Sequence, residues 1–390
     1  MPEVYEGVDF YDSDFLLTDE ERSIRDMVRE WVEREYVPII RKHVQAGTFP
    51  TEVIPQLGEM GLLGANLPEK YGCAAVSEVA YGLINQELER GDSGLRSFSS
   101  VQSGLVMYPI FAYGSEEQKS YWLPKLATGE KIGCFGLTEP DHGSDPGSMI
   151  TRAEDKGDHY LVHGAKMWIT NSPMADVFIV WAKLDGVVRG FILEKGMKGL
   201  TAPEMTGKLS LWASATGEIV MDHVEVPKAN ILPNTQGLKG PLSCLTQARY
   251  GIAFGATGAA MACFDEVRKY SKSRIQFGKP IGTFQLTQAK LADMVTEITA
   301  MQLLQIQLGR LKEHGVMKPH HVSLAKRNNV VKALEIARSA RTILGANGIL
   351  DEYVSMRHAA NLESVLTYEG THEIHTLVLG EWVTGIAAYA

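Results

Sequence analysis

The sequence predicts an α+β chain, mainly helical, in three consecutive parts. These are a helical N-terminal domain over residues 1–133, a central antiparallel β-sheet or β-barrel domain over 134–240, and a C-terminal four-helix bundle over 241–390. Three observations predict it. Capping boxes and apolar residues at helical spacing dominate the first third. Four short β-rich runs, separated by Gly, Asp and Pro, fill the middle. Long apolar stripes return from about residue 240. A chain of 390 residues is too long for one ordinary core, and 45% hydrophobic with 22% charged residues is the balance of a globular protein.

The elements follow in order. The opening MPEVYEGVDFYDSDF is acidic and has no apolar run, so it reads as neither a signal peptide nor a mitochondrial presequence. The expected location is the cytoplasm of a bacterium, or the mitochondrial matrix if a presequence has been removed. Thr18-Asp-Glu-Glu21 is a capping box, and Ile24, Met27, Val28, Trp31 and Val32 continue it at helical spacing before Pro38. The Pro and Gly of Leu67-Pro-Glu-Lys-Tyr-Gly72 mark a loop between helices. Ser115-Glu-Glu-Gln118 is a second capping box, and its helix is predicted to stop before Pro124. Residues 160–164, 177–181, 190–193 and 218–221 are the β-rich runs, and Pro227 and Pro233 close that region. Leu291, Met294, Val295, Ile298, Met301, Leu304, Leu308 and Leu311 then trace one stripe, ending before Gly315 and Pro319. A further helix is predicted over about 322–345, ending near Gly345 and Gly348, and a last one from about Thr371 to the chain's end.

Composition narrows the function. With 38 Lys and Arg against 47 Asp and Glu, the net charge is −9. Nucleic acid and anionic membranes therefore have no electrostatic attraction to the chain as a whole, although a local basic site can still take an anionic ligand. No uncharged apolar stretch reaches ~18 residues, so no membrane span is predicted. Cys73, Cys134, Cys244 and Cys263 are far apart with no C-x-x-C pair, which suits buried thiols in a reducing compartment. No G-x-G-x-x-G follows a strand, and there is neither a phosphate-binding P-loop nor a G-x-S-x-G elbow. His372 and His375 are three apart, where a zinc-binding helix places its pair four apart, so no metal site is predicted.

Three clusters carry the chemistry: Phe135-Gly-Leu-Thr-Glu-Pro-Asp-His-Gly-Ser144, Lys166-Met-Trp-Ile-Thr-Asn171 on a strand, and Tyr368-Glu-Gly-Thr371 before the last helix. Taken singly they read as a turn, a strand end and a helix cap. In this order and at these separations they resemble the acyl-CoA dehydrogenase family, as do Arg274-Ile-Gln-Phe-Gly-Lys-Pro280 and Leu344-Gly-Ala-Asn-Gly348. The resemblance covers nearly the whole chain and implies that family's fold. Within the family it is strongest to the glutaryl-CoA-oxidising branch. That likeness rests on Leu88-Glu-Arg-Gly-Asp-Ser-Gly-Leu-Arg-Ser97, Gly143-Ser-Asp-Pro146, Trp168 to Asp176, Ala248-Arg-Tyr-Gly-Ile-Ala253, Lys326-Arg-Asn-Asn329 and Thr367 to His372.

The resemblance implies a reaction that removes a proton from Cα and a hydride from Cβ of a CoA thioester, with FAD as hydride acceptor. The proton needs a carboxylate with a raised pKa in a dry pocket. The resemblance places that base at Glu369, whose backbone N–H would help hold the thioester oxygen, with Gly370 beside it. It places Phe135, Leu137, Thr138, Gly143 and Ser144 along the flavin, with Ser144 near a phosphate or the CoA arm. Trp168, Ile169 and Thr170 join them, Thr138 and Thr170 at the flavin ring and Trp168 packing near it. The plain alternative for Trp168 is a core residue. Arg274, Phe277 and Gln285, with Leu344 and Gly345, would contact the adenosine half, partly across a subunit contact, which implies a homotetramer built as a dimer of dimers. Thr371 completes the cofactor set, and Arg249 is expected on the CoA side of the substrate site. Electron-transfer flavoprotein is the expected electron acceptor.

A glutaryl chain ends in a second carboxylate, which would be costly to bury unpaired and which a guanidinium matches in a planar, bidentate way. The resemblance puts Arg96 in that role, helped by Ser97 and Ser100. Glu89 and Tyr368 match the polar residues that decarboxylating members carry there, so the expected products are crotonyl-CoA and CO2. Three positions depart from the pattern. Leu95 stands in place of Tyr, Phe98 is bulkier than the usual Ala or Met and could narrow the pocket, and Trp212 replaces an Arg. The readings left open are a dehydrogenase for another dicarboxylic or branched acyl-CoA, a glutaryl-CoA dehydrogenase that does not decarboxylate, and a CoA-binding module that has lost turnover.

Overall fold

The computed structural model describes residues 9–388. The acidic residues 1–8 therefore lie outside the described residues, as do 389 and 390 at the end of the predicted last helix. The helical first part contains α1 (Asp19–Trp31), α2 (Val37–Ala46), α3 (Ile54–Glu59), α4 (Glu78–Gly91), α5 (Ser93–Ser100), α6 (Tyr108–Tyr113) and α7 (Glu116–Ala127). The strands are β1 (Gly133–Gly136), β2 (Arg152–Asp155), β3 (His159–Thr170), β4 (Val177–Leu184), β5 (Val187–Glu194), β6 (Leu200–Thr201) and β7 (Thr216–Pro227). Then come α8 (Lys239–Ser273), a small hairpin of β8 (Ile275–Gln276) and β9 (Lys279–Pro280), α9 (Gln285–Glu313), α10 (Pro319–Leu344), α11 (Val354–Thr367) and α12 (His372–Thr384).

Both capping boxes form. The Thr18 hydroxyl accepts from Glu21 N at 3.2 Å, and the Glu21 carboxylate accepts from Thr18 N at 2.8 Å. Glu21 also pairs with Arg310 at 2.6 Å, which ties α1 to α9. The second helix corrects an expectation: α7 does not stop before Pro124 but runs through it to Ala127, with Thr128 N bonded to Pro124 O at 3.2 Å. A proline inside a helix costs about 3 kcal/mol. Here Trp122, Leu123, Leu126 and Ala127 all sink into one apolar cluster, and a buried Leu returns roughly 1.5–3 kcal/mol.

The sheet has the order β1-β4-β2-β3-β7-β6, with β5 also paired to β4. The pairings β2–β3, β3–β7, β4–β5 and β6–β7 are antiparallel, as expected, but β1–β4 and β2–β4 are parallel. Parallel neighbours need a long crossover, and the β2–β3 hairpin lies within the one between β1 and β4. The short strands β1, β2 and β6 were not read from the sequence, because four residues or fewer carry no usable period.

In the C-terminal part, Met294, Ile298, Met301 and Leu308 of the predicted stripe are buried, packing α9 on α8 and α10. The helix α11 was not read from the sequence. All four cysteines are buried and unpaired, and no helix among the described residues is long and apolar enough to cross a membrane.

Helix α8 is the structural centre, buried almost throughout Tyr250–Met261 and pressed closely on α4. Glycines permit that approach. A Cβ on Gly258 would strike the Gln86 carbonyl, and one on Gly255 would overlap the Glu89 carboxylate and stand 3.2 Å from Arg96 Nε. Gly255→Ala is expected to destabilise the fold by about 1–3 kcal/mol. The measurement is the urea midpoint, and an unchanged midpoint would contradict the packing described.

Candidate active site

The segment Tyr368-Glu369-Gly370 links α11 to α12. Helix α11 ends at Thr367, and the Thr371 hydroxyl caps α12 by accepting from Ile374 N at 3.2 Å. Between them the chain turns left-handed, with φ 52° at Glu369 and 94° at Gly370. At a non-glycine such backbone costs about 1–3 kcal/mol and persists only where the surroundings enforce it. The enforcing contacts are cationic. Lys326 Nζ donates to the Tyr368 and Gly370 carbonyls at 2.5 and 2.6 Å, and Arg249 Nε donates to the Glu369 carbonyl at 2.6 Å. Arg249, expected on the CoA side, is therefore held against the backbone of Glu369.

The Glu369 carboxylate has a buried oxygen, Oε2, without a hydrogen-bond partner. Burial raises its pKa, and the positive charges of Arg96, Lys326 and Arg249 oppose that rise. Among the described residues, no backbone hydrogen bond uses the Glu369 N–H. A dry carboxylate, an unengaged N–H and nearby cations are suited to removing a proton beside a carbonyl and holding the negative charge that develops.

Arg96 lies next to this segment. It is fully buried on α5, and its Nε donates to Glu89 Oε2 at 2.6 Å. One Nη reaches Ser100 Oγ at 3.0 Å and the other reaches the Tyr368 hydroxyl. Glu89 also accepts from Ser93 Oγ at 2.8 Å. A buried ion pair is weak evidence for stability, since apolar residues of the same volume often serve as well. A guanidinium carries five N–H donors, and with three engaged two remain for one carboxylate. Ser97 is buried on the same helix. Two of the three departures from the family pattern turn away from this point. Leu95 is packed in the N-terminal core, and the Phe98 ring stacks on Phe49 with centroids 4.8 Å apart, so Phe98 does not narrow the site.

The second assembly joins the other two clusters. Buried Lys166 on β3 donates to the Leu137 carbonyl at 3.0 Å and to Glu139 at 2.9 Å, while Glu139 accepts from Ile150 N and Thr151 N. Met167 N donates to the Thr138 carbonyl at 2.9 Å. This fixes Leu137–Glu139 against the β3 bulge, where Trp168 has φ 64° and is 60% exposed. Trp168 is thus not a core residue. A strained backbone presenting an indole to solvent is suited to lining a ligand site. Thr138 and Thr170 are half-buried, Gly143 and Ser144 are exposed, and Ile169 faces the sheet core. The Phe135 side chain packs edge-on against Trp181, so only its backbone can line a site. Trp212 is half-buried, and the turn it belongs to keeps a cation, because Lys208 Nζ reaches the Ser214 carbonyl and the Thr216 hydroxyl.

A third group stands apart. Arg274, Phe277 and Gln285 are exposed on the β8–β9 hairpin and at the start of α9, and Leu344 and Gly345 are at the end of α10. No hydrogen bond or ring contact among the described residues joins Arg274, Phe277 or Gln285 to Thr138, Trp168 or Glu369. His375 is buried, bonds Ser323 Oγ at 3.0 Å and is kept neutral, its pKa pushed down to about 3 by burial. Among the described residues, the one group at metal-ligand spacing is His163, Asp222 and His223 on β3 and β7, which includes neither His372 nor His375. The residue that sequence reasoning missed is Lys326. It stood inside a quoted string, but nothing local ties it to Glu369.

A helical first part, a curled mixed sheet and a helical last part, with a half-buried glutamate, its Oε2 shut off from water, on the loop before the final helix, describe an acyl-CoA dehydrogenase. The chain belongs to that family: models of its N-terminal, middle and C-terminal domains match residues 18–130, 134–224 and 235–384. A crystal structure of a glutaryl-CoA dehydrogenase from Mycobacterium smegmatis, in complex with FADH2, is 49% identical with a TM-score of 0.98, over 99% of this chain and 100% of that one. The glutaryl-CoA dehydrogenase of Desulfococcus multivorans is 36% identical over 94% of this chain and 97% of its own. The mitochondrial short-chain specific acyl-CoA dehydrogenase of Rattus norvegicus is 33% identical over 93% and 90%.

Proposed function

We propose that this enzyme oxidises glutaryl-CoA with FAD and decarboxylates the product to crotonyl-CoA. The observation that carries the reading is the buried Arg96, held by Glu89, Ser100 and Tyr368 beside Glu369, with two N–H donors to spare. A straight-chain monoacyl substrate gives no reason to keep a guanidinium there. The likeness to two glutaryl-CoA dehydrogenases supports the same reading.

The residues fit FAD. The exposed, left-handed Trp168, the half-buried Thr138 and Thr170, and the solvent-facing Gly143 and Ser144 lie on two segments that the Lys166–Glu139 pair and the Met167–Thr138 bond tie together. FAD, when bound, supplies the acceptor for the Cβ hydride. Glu369 takes the Cα proton, and its N–H steadies the thioester oxygen as charge develops there. Arg96 holds the far carboxylate until the Cγ–carboxyl bond breaks and CO2 leaves with its electron pair left on the carbon chain. The protonated Glu369 then returns its proton to Cγ, giving crotonyl-CoA. Electrons pass on to an electron-transfer flavoprotein. The exposed Ile275, Phe277 and Leu286 near Arg274 and Gln285 suit a contact between subunits in a dimer of dimers.

The test is incubation of the FAD-loaded enzyme with glutaryl-CoA and an electron acceptor, followed by mass analysis. Crotonyl-CoA and CO2 in equal amounts are expected. Accumulation of glutaconyl-CoA without CO2 would remove the decarboxylation step, and no flavin bleaching by glutaryl-CoA would remove the substrate.

A further inference from the structure

Lys326 is a buried ammonium with no carboxylate in salt-bridge contact among the described residues. Such a charge is expensive to bury. Burial pushes its pKa down, and the negative charge that raises it again is that of Glu369. Its two hydrogen bonds go to the carbonyls immediately before and after Glu369, so they bracket the left-handed turn that aims the carboxylate. The geometry is specific, because two acceptors on alternate residues meet one ammonium. Removing it leaves both carbonyls without those bonds and frees the turn to relax.

We propose that Lys326 is the positioning residue of the base: it bridges the Tyr368 and Gly370 carbonyls, fixes the direction of the Glu369 carboxylate and favours its ionised form. The proposal rests on Glu369 being the base. The charged and titratable groups facing Glu369 come from every neighbouring element. Arg96 from α5 is engaged by Glu89 of α4, Arg249 projects from α8, Lys326 from α10 and neutral His375 from α12, while Tyr368 adjoins it in the loop. Loss of the Lys326 charge removes a nearby positive charge that lowers the Glu369 pKa, so that pKa rises. The base must be ionised to act, and the acid limb of the rate profile therefore moves to higher pH.

The experiment uses the full-length, FAD-loaded enzyme with Lys326→Met, Lys326→Gln and Lys326→Arg. The readouts are the acid limb of kcat/KM and the loss of α-deuterium from labelled acyl-CoA in the absence of an electron acceptor. Lys326→Met and Lys326→Gln are expected to move the limb up by about 1–3 pH units, the range for an adjacent opposite charge, and to slow exchange at pH 7 at least about tenfold. Lys326→Arg should restore the limb but not the full rate, since its fork cannot repeat the two-carbonyl bridge. A folded, yellow Lys326→Met or Lys326→Gln protein whose limb stays in place overturns the proposal. If neither folds, a Lys326→Arg enzyme with wild-type rate and exchange overturns it. Glu369→Gln separates the two ideas: retained exchange defeats the base assignment itself, whereas abolished exchange with an unmoved Lys326→Met limb defeats only the role of Lys326.

Discussion

Glu369→Gln is expected to reduce acyl-CoA oxidation by about 10²–10⁴-fold, the usual contribution of a placed general base, while acyl-CoA still binds. Gln has the same length and keeps a polar tip, so the left-handed loop and its bonds to Lys326 and Arg249, all made to backbone carbonyls, remain available. What disappears is an acceptor for the Cα proton. Glu369 Oε2 is buried without a partner, so no neighbouring side chain is already bonded there to take over. Stopped-flow absorbance would show flavin that binds ligand but does not bleach. Bleaching at near wild-type rate would mean that the proton leaves by another route.

Arg96→Gln should carry the second large effect. It strips Glu89 of its guanidinium partner, and breaking a buried pair on one side costs about 3–5 kcal/mol. Part of that loss will appear as instability, so the informative quantity is a ratio: kcat/KM for glutaryl-CoA against kcat/KM for butyryl-CoA. If Arg96 binds the far carboxylate, the ratio should fall about 30-fold or more, as expected for truncating one partner of a buried charge pair. A general loss of fold lowers both terms together. An unmoved ratio would sink the glutaryl reading and leave another acyl-CoA as substrate, such as the short-chain class named for the rat relative.

Much of the fold was legible locally. The capping boxes at Thr18–Glu21 and Ser115–Gln118 close within three residues, so their bonds need no tertiary partner. The stripe on α9 repeats over enough turns to declare a buried face. By contrast, β1 and β2 exist because β4 pairs with both, and α7 continues past Pro124 because a core lies beneath its last turn.

The site divides the same way. The sequence by itself determined the types and order of the candidate site residues: Glu369 between Tyr and Gly-Thr, Arg96 in its own string, and Thr138, Trp168 and Thr170 in theirs. Tertiary structure alone decided which face of α5 each residue occupies, sending Phe98 to Phe49 and Arg96 to Tyr368. It alone brought Lys326 to the carbonyls on either side of Glu369. The reason is physical. A capping bond depends on neighbours along the chain, whereas the charge and dryness around a carboxylate depend on whatever distant helices deliver to it, here α5, α8 and α10.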